Sequence, residues 1–141
     1  MKITIAEFDQ LMATALPFAA LLGLKLDAIE DSHVDMRALY KEDHLRPGGT
    51  VSGPVMMGLA DAAVYALILS HIGPVELAVT TNLNINFLRK PLPADLLARA
   101  NMLKLGKRLA VAEVSIYSES FDTEMVAHAV ATYSIPPREK G

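Results

Sequence analysis

The sequence predicts an α+β domain in which a curved antiparallel sheet of about six strands wraps one long central helix. Three observations predict it. The stretch from Ser52 to Ser70, SGPVMMGLADAAVYALILS, is apolar on every face of a helix, and such a helix is either buried or membrane-spanning. Two strand-like runs precede it and four follow it, bounded by turn residues. Strands that run in succession with one segregated helix indicate α+β rather than alternating βαβ units.

Each element has its own signals. Thr4 to Leu16 reads as an amphipathic helix, with Thr4 and Glu7 spaced as a capping box and Phe8, Leu11, Met12 and Ala15 on one face. Pro17 breaks it, and Phe18 to Leu22 makes a further turn before Gly23. Leu24 to Ile29 and His33 to Tyr40 alternate about the turn Glu30-Asp31-Ser32, as a hairpin does. Lys41 to Val51 is a polar loop. The central helix starts at Ser52 or Gly53 as N-cap, with Pro54 in its first turn, and stops at Gly73-Pro74. Four strands follow: Val75 to Leu88, Leu96 to Leu105, Arg108 to Ser118 and Thr123 to Ile135. The chain is expected to form one domain over 1–141, with an N-terminal helical segment over 1–21 and a tail over 136–141. The long strand from Val75 is a natural place for two copies to pair.

Composition narrows the function classes. The chain has 141 residues, 52% hydrophobic, with a net charge of −3. That balance argues against a nucleic-acid binder, which carries a basic patch. There is no cysteine, so disulfides, thiolate metal sites and a cysteine nucleophile are excluded, in keeping with a cytoplasmic setting. The N-terminus shows no secretory pattern. Asp61 interrupts the apolar run, which then falls short of the length that spans a bilayer. No membrane partner and no metal site are expected, the four histidines having no ligand spacing such as HExxH.

Asp61 is the one ionisable residue inside the apolar helix. Burying an unpaired carboxylate is costly, so its presence points to function or to a satisfied core Asp bonded to backbone N–H groups or to Tyr65. Gly53 lies at the helix N-terminus, where free N–H groups and the dipole favour an oxyanion; Gly53 and Gly58 also allow close packing against the sheet. Asp61 is eight residues beyond Gly53, about 12 Å along the axis. That is too far for both to act on one carbonyl unless a second chain supplies one of them. Met56 and Met57 read as core filler. Asn82, Asn84 and Asn86 form one polar face of the long strand, solvated or binding. Arg89-Lys90 and Lys107-Arg108 are basic clusters at strand ends, solvated or suited to a phosphorylated ligand. His44 beside Asp43 reads either as a dyad or as a solvated loop histidine.

The segments HLRPGGTVSGPVMMGLADAAVYALI, TTNLNINFLRKP and LKLGKRLAVAEVSI resemble the PaaI-type acyl-CoA thioesterases of the hotdog-fold superfamily, from about Leu22 to Ile135. The resemblance implies an active dimer, often a dimer of dimers, with the site at the subunit interface. It implies that Asp61 of Leu-Ala-Asp is general base or nucleophile, and that the Gly53 N–H polarises the thioester carbonyl. By region, Arg89, Lys90, Lys107 and Arg108 would meet the phosphates of coenzyme A, which enters as part of the substrate; no cofactor is implied. The family's loop usually reads His-x-Asn, a gap, then His-Gly-Gly. Here Arg46 stands at the Asn and Ser52 at the second His. Arg46 is then expected to contact carbonyl or phosphate, Ser52 to cap the helix or bind water, and Tyr65 to face the substrate. The expected activity is hydrolysis of an acyl-CoA thioester. A non-catalytic acyl-CoA-binding protein is the alternative, and a hydratase using His44 and an acid is a third reading.

Overall fold

Thr4 opens the first helix through a complete capping box: its hydroxyl accepts the Glu7 N–H at 3.1 Å, and the Glu7 carboxylate accepts the Thr4 N–H at 3.1 Å. The computed structural model describes residues 2–137. Helix α1 spans Ile5–Ala15 and α2 spans Pro17–Leu22, with the proline at the start of the second helix. Gly23 ends α2 in the left-handed region, φ 69°. Strands β1 (Leu24–Ile29) and β2 (His33–Ala38) form the expected hairpin. The loop beyond holds more order than its composition suggests. A 3₁₀ turn over Glu42–His44 leads into a tiny antiparallel pair, β3 (Leu45–Arg46) and β4 (Thr50–Val51). The pair turns on Gly48 and Gly49, both at positive φ.

The central helix, α3, runs Gly53–Ile72, with Gly73 as its C-cap at the expected stop. The strand that follows is shorter than expected at its start. Val75 to Ala78 is a turn closed by the Ala78 N–H on the Val75 carbonyl (3.1 Å), and β5 covers Val79–Phe87. Then come β6 (Leu96–Leu105), β7 (Leu109–Ser118) and β8 (Ala127–Ser134). Of the tail expected over 136–141, residues 138–141 lie outside the described residues.

The six long strands form one antiparallel sheet in the order β1-β2-β6-β7-β8-β5. It curves around α3, whose Leu59, Ala63, Val64, Leu67, Ile68 and Leu69 are fully buried. At twenty residues α3 is long and apolar enough to cross a bilayer, but here it is the core, covered by the sheet, by α2 through Leu22 and Phe18 beside Gly58, and by Phe8 of α1 against Tyr65. Alanine makes the close fit possible. Ala98 and Ala100 on β6, Ala110 and Ala112 on β7, and Ala127, Ala129 and Ala131 on β8 all face inward with no exposure. Cross-strand register stacks Ala112 beside Ala131. A floor of methyl groups lets a helix of large side chains sit deep against three strands.

Strand β5 carries an irregularity that matters below. Its register with β8 jumps from Thr80↔Tyr133 to Asn82↔Thr132, so Thr81 is a bulge. Strict alternation would place Thr80 on the outer face with Asn82, Asn84 and Asn86. The extra residue turns Thr80 inward, opposite Tyr133.

The alanine floor has no slack. Ala129→Leu should lower unfolding free energy by about 1–3 kcal/mol, read as a lower urea midpoint at unchanged m-value. Thr132→Leu, on the outer face of the same strand, should cost far less.

Candidate functional site

Asp61 is held from the sheet, not from its own helix. Thr80 Oγ1 on β5 donates to Asp61 Oδ1 at 2.5 Å, and the Tyr133 hydroxyl on β8 donates to the same oxygen at 2.8 Å. Tyr133 also lies 3.0 Å from the Asp61 carbonyl oxygen. Among the described residues Oδ2 accepts no hydrogen bond, and Asp61 lines a cavity of about 250 Å³ with Thr80, Tyr133, Phe18, Leu22 and Val79. One oxygen is therefore fixed and the other is left for a water or substrate. Burial, and then the Asp61 charge, push the Tyr133 phenol well above its usual range, so it stays a donor.

Tyr65 is not the partner of Asp61. Its hydroxyl donates to the Glu76 carbonyl at 2.9 Å, and burial raises its pKa. It lines the same cavity and packs its ring 6.2 Å from that of Tyr133, as one wall of that cavity. Sequence reasoning missed Thr80 and Tyr133. The adjacent Thr80-Thr81 pair ahead of the alternating asparagines was the available signal for a break in register.

Gly53 opens into a different groove, of about 490 Å³, with Arg46, Phe87, Arg89 and Lys90 on its walls. Phe87 lies over the glycine: a Cβ there would come within 3.3 Å of the ring. A methyl group there would need the half-exposed Phe87 ring to shift by a few tenths of an ångström. Ser52 occupies the N-cap position but makes no side-chain cap bond, contrary to expectation. Its N–H instead donates to the His44 carbonyl at 2.8 Å, tying the β3–β4 hairpin to the helix start. His44 is buried rather than a solvated loop residue, and its Nε2 has no partner among the described residues. Burial, and then Lys41, lower its pKa. Asp43 is exposed and makes no hydrogen bond to it, so the dyad is not formed among the described residues.

The basic residues divide. Arg46 is exposed and free of ion pairs among the described residues, as is Lys90. Arg89 is engaged, its Nη1 2.9 Å from Glu124 and its Nε donating to the Met125 carbonyl at 3.0 Å. Lys107 and Arg108 lie at the β6–β7 turn, by Ile72 and Ile135, away from the Gly53 groove. One chain thus holds three separate places: Asp61 with its cavity, Gly53 with Arg46 and Lys90, and Lys107 with Arg108. Among the described residues no group of three His, Asp or Glu could hold a metal ion.

Comparison with known proteins matches the chain to a family. Residues 48–123, over half the chain, match the model of the Thioesterase superfamily. The structure of a "putative thioesterase" from Silicibacter sp. TM1040 is 44% identical, covering 96% of this chain and 93% of that one, at a TM-score of 0.85. A mutant of the phenylacetic acid degradation protein PaaI from Thermus thermophilus is 29% identical over 85% of this chain and 99% of that one, at a TM-score of 0.73. A "putative esterase" of Halobacterium salinarum is 31% identical over 116 residues, 77% of this chain and 76% of that protein. The chain belongs to the Thioesterase superfamily, as a PaaI-type member with the hotdog fold in a family of thioester hydrolases.

Proposed function

We propose that the protein hydrolyses acyl-CoA thioesters in sites shared between two chains paired along β5. The observation that carries this reading is the placement of the two candidate groups at opposite ends of one edge strand. Asp61 is bonded to Thr80 at the start of β5, and Gly53 lies under Phe87 at its end. β5 is the last strand of the sheet, its outer edge unpaired among the described residues. A two-fold antiparallel pairing of β5 with its copy sets the start of one strand against the end of the other. Asp61 of one chain then faces the Gly53 groove of its partner.

Two further features support the pairing. Large apolar side chains stand exposed at both ends of β5, Leu77 and Val79 at one, Phe87 and Leu88 at the other; unlike ends meeting would cover them. The basic clusters that one chain keeps apart would also converge. Leu109 is opposite Ser134, which is opposite Val79, so the Lys107-Arg108 turn lies at the Val79 end of the sheet. Pairing brings that end beside the partner's Arg46 and Lys90, within about 15 Å at strand spacing. This rim suits the phosphates of coenzyme A. Arg89, held by Glu124, would support the rim more than grip the ligand.

In this reading the Gly53 N–H, at the positive end of α3, binds the thioester oxygen as it gains charge. Asp61 Oδ2 takes a proton from water as it attacks the carbonyl, or attacks the carbonyl itself and is released by water; either route yields the acid and free CoA thiol. The acyl group lies in the apolar cavity beside Asp61. A cytoplasmic setting goes with an acyl-CoA substrate.

Thiol release from a panel of acyl-CoAs tests it. Asp61→Asn should lower turnover by about 10²–10⁴-fold without loss of fold. Gly53→Pro deletes the donor N–H, and Ser52 already has the extended backbone that precedes proline, φ −72° and ψ 154°; it too should be inactive. Co-expressing the two variants should restore up to about a quarter of wild-type activity, since half of randomly formed dimers carry one intact site. Unchanged turnover in Asp61→Asn would remove Asp61 from the mechanism, no restoration would refute the shared site, and acyl-CoA binding without turnover by wild type would establish the non-catalytic binder.

A further inference from the structure

The least explained feature of the site is the pair of hydroxyls on one oxygen of Asp61. We propose that Tyr133 is a positioning residue for the reaction: its hydroxyl, acting with Thr80, locks Asp61 Oδ1 so that Oδ2 points steadily at the reacting carbonyl. This rests on the hydrolase reading above and assigns a role to a residue on the sheet, not on the helix that carries Asp61.

Tyr133 is a strange residue to find where it is. The inward positions before it on β8 are Ala127, Ala129 and Ala131, the methyl floor beneath α3. Tyr133 ends that row with a full phenol that is 2% exposed. A buried tyrosine hydroxyl must find a partner, and this one finds Asp61, with Oδ1 at 2.8 Å and the carbonyl oxygen at 3.0 Å, beside the Thr80 hydroxyl. The ring has little freedom to aim elsewhere. It packs 6.2 Å from the Tyr65 ring, which in turn lies 5.9 Å from Phe8 of α1. Across the sheet it sits between Ala110 of β7 and Thr80 of β5.

The bulge at Thr81 completes the device. Without the extra residue, Thr80 would face outward and Tyr133 would hold Asp61 alone. With it, the cross-strand pair Thr80↔Tyr133 presents two donors to one acceptor. Bulges recur beside active sites for this purpose, re-aiming one side chain while the strand continues. A carboxylate anchored through one oxygen by two donors cannot turn about its Cβ–Cγ bond without breaking both bonds. The second oxygen therefore keeps one heading, which is what an in-line attack or a proton transfer requires.

Tyr133→Phe tests the role because it deletes the oxygen and keeps the ring. With the best acyl-CoA of the panel, kcat should fall by about ten- to a hundredfold, while KM changes by less than about twofold. Thr80→Val should lower kcat in the same way. A tyrosine that served the fold alone would lower the melting temperature and leave kcat of the folded enzyme unchanged. Wild-type kcat in Tyr133→Phe overturns the proposal. A second readout needs no turnover: the carbon-13 chemical shift of the Asp61 carboxyl at one fixed pH in wild type and Tyr133→Phe, which responds to loss of the hydrogen bond. If wild type hydrolyses no acyl-CoA, the hydrolase reading fails, and an Asp61 carboxyl signal identical in the two proteins shows separately that Tyr133 exerts no hold on it.

Discussion

The rest of this structure depends on the burial of a helix that has no polar face. α3 offers nothing to solvent along most of its length, so a single flat layer cannot satisfy it. The sheet must curve, and curvature around a helix of Leu, Val, Ile and Met demands small residues on the inner strands. The alanines of β6, β7 and β8 meet that demand. A sheet that wraps a helix without closing on itself keeps two edges, β1 and β5. The edge at β5 is long, unpaired among the described residues and flanked by exposed apolar side chains, which is the kind of edge that proteins cover.

Asp61 is where the apolar rule breaks, and its position follows from the same geometry. It lies half-buried at the side of α3 that looks toward β5 and β8, where the cover of the sheet runs out and a cavity begins. There the carboxylate can be bonded by groups on the sheet while one oxygen stays open. Burial of the phenol beside it strengthens the arrangement, since a tyrosine far from ionisation remains a donor. The structural cost of a charge on a core helix is thus met by two hydroxyls from the strands that bound the edge.

Much of this was legible because it is local. The capping box of Thr4 and Glu7, the break at Pro17, the stop at Gly23 and the apolar helix with its single Asp all act within a few residues of themselves. The strands β6 and β7 likewise follow from the turn residues that bound them. What escaped was set by partners distant in sequence. Thr80 reaches Asp61 only because of a bulge against β8, and Tyr133 is 72 residues from the carboxylate it holds. Tyr65, one helical turn from Asp61, was the partner that local spacing offered, and the Glu76 carbonyl takes its hydroxyl instead. Ser52 has the right residue type for a cap, but the hairpin of β3 and β4 engages its backbone and its side chain caps nothing. Val75 to Ala78 has strand-forming residues, yet the chain must turn there to carry it from the end of α3 to the far edge of the sheet.

The separation of Asp61 from Gly53 was legible as a number of helical turns, and the structure gives that number a direction. α3 and β5 run in opposite senses: the start of the helix meets Phe87 at the end of the strand, and Asp61, further along the helix, meets Thr80 at the strand's beginning. In the proposed pairing, a two-fold axis across the middle of β5 exchanges the two groups between chains. Asp61, bonded to Thr80 near one end of β5, would then stay well away from its own copy. Two like charges at close range resist sharing a site, and that placement would leave room for two separate sites.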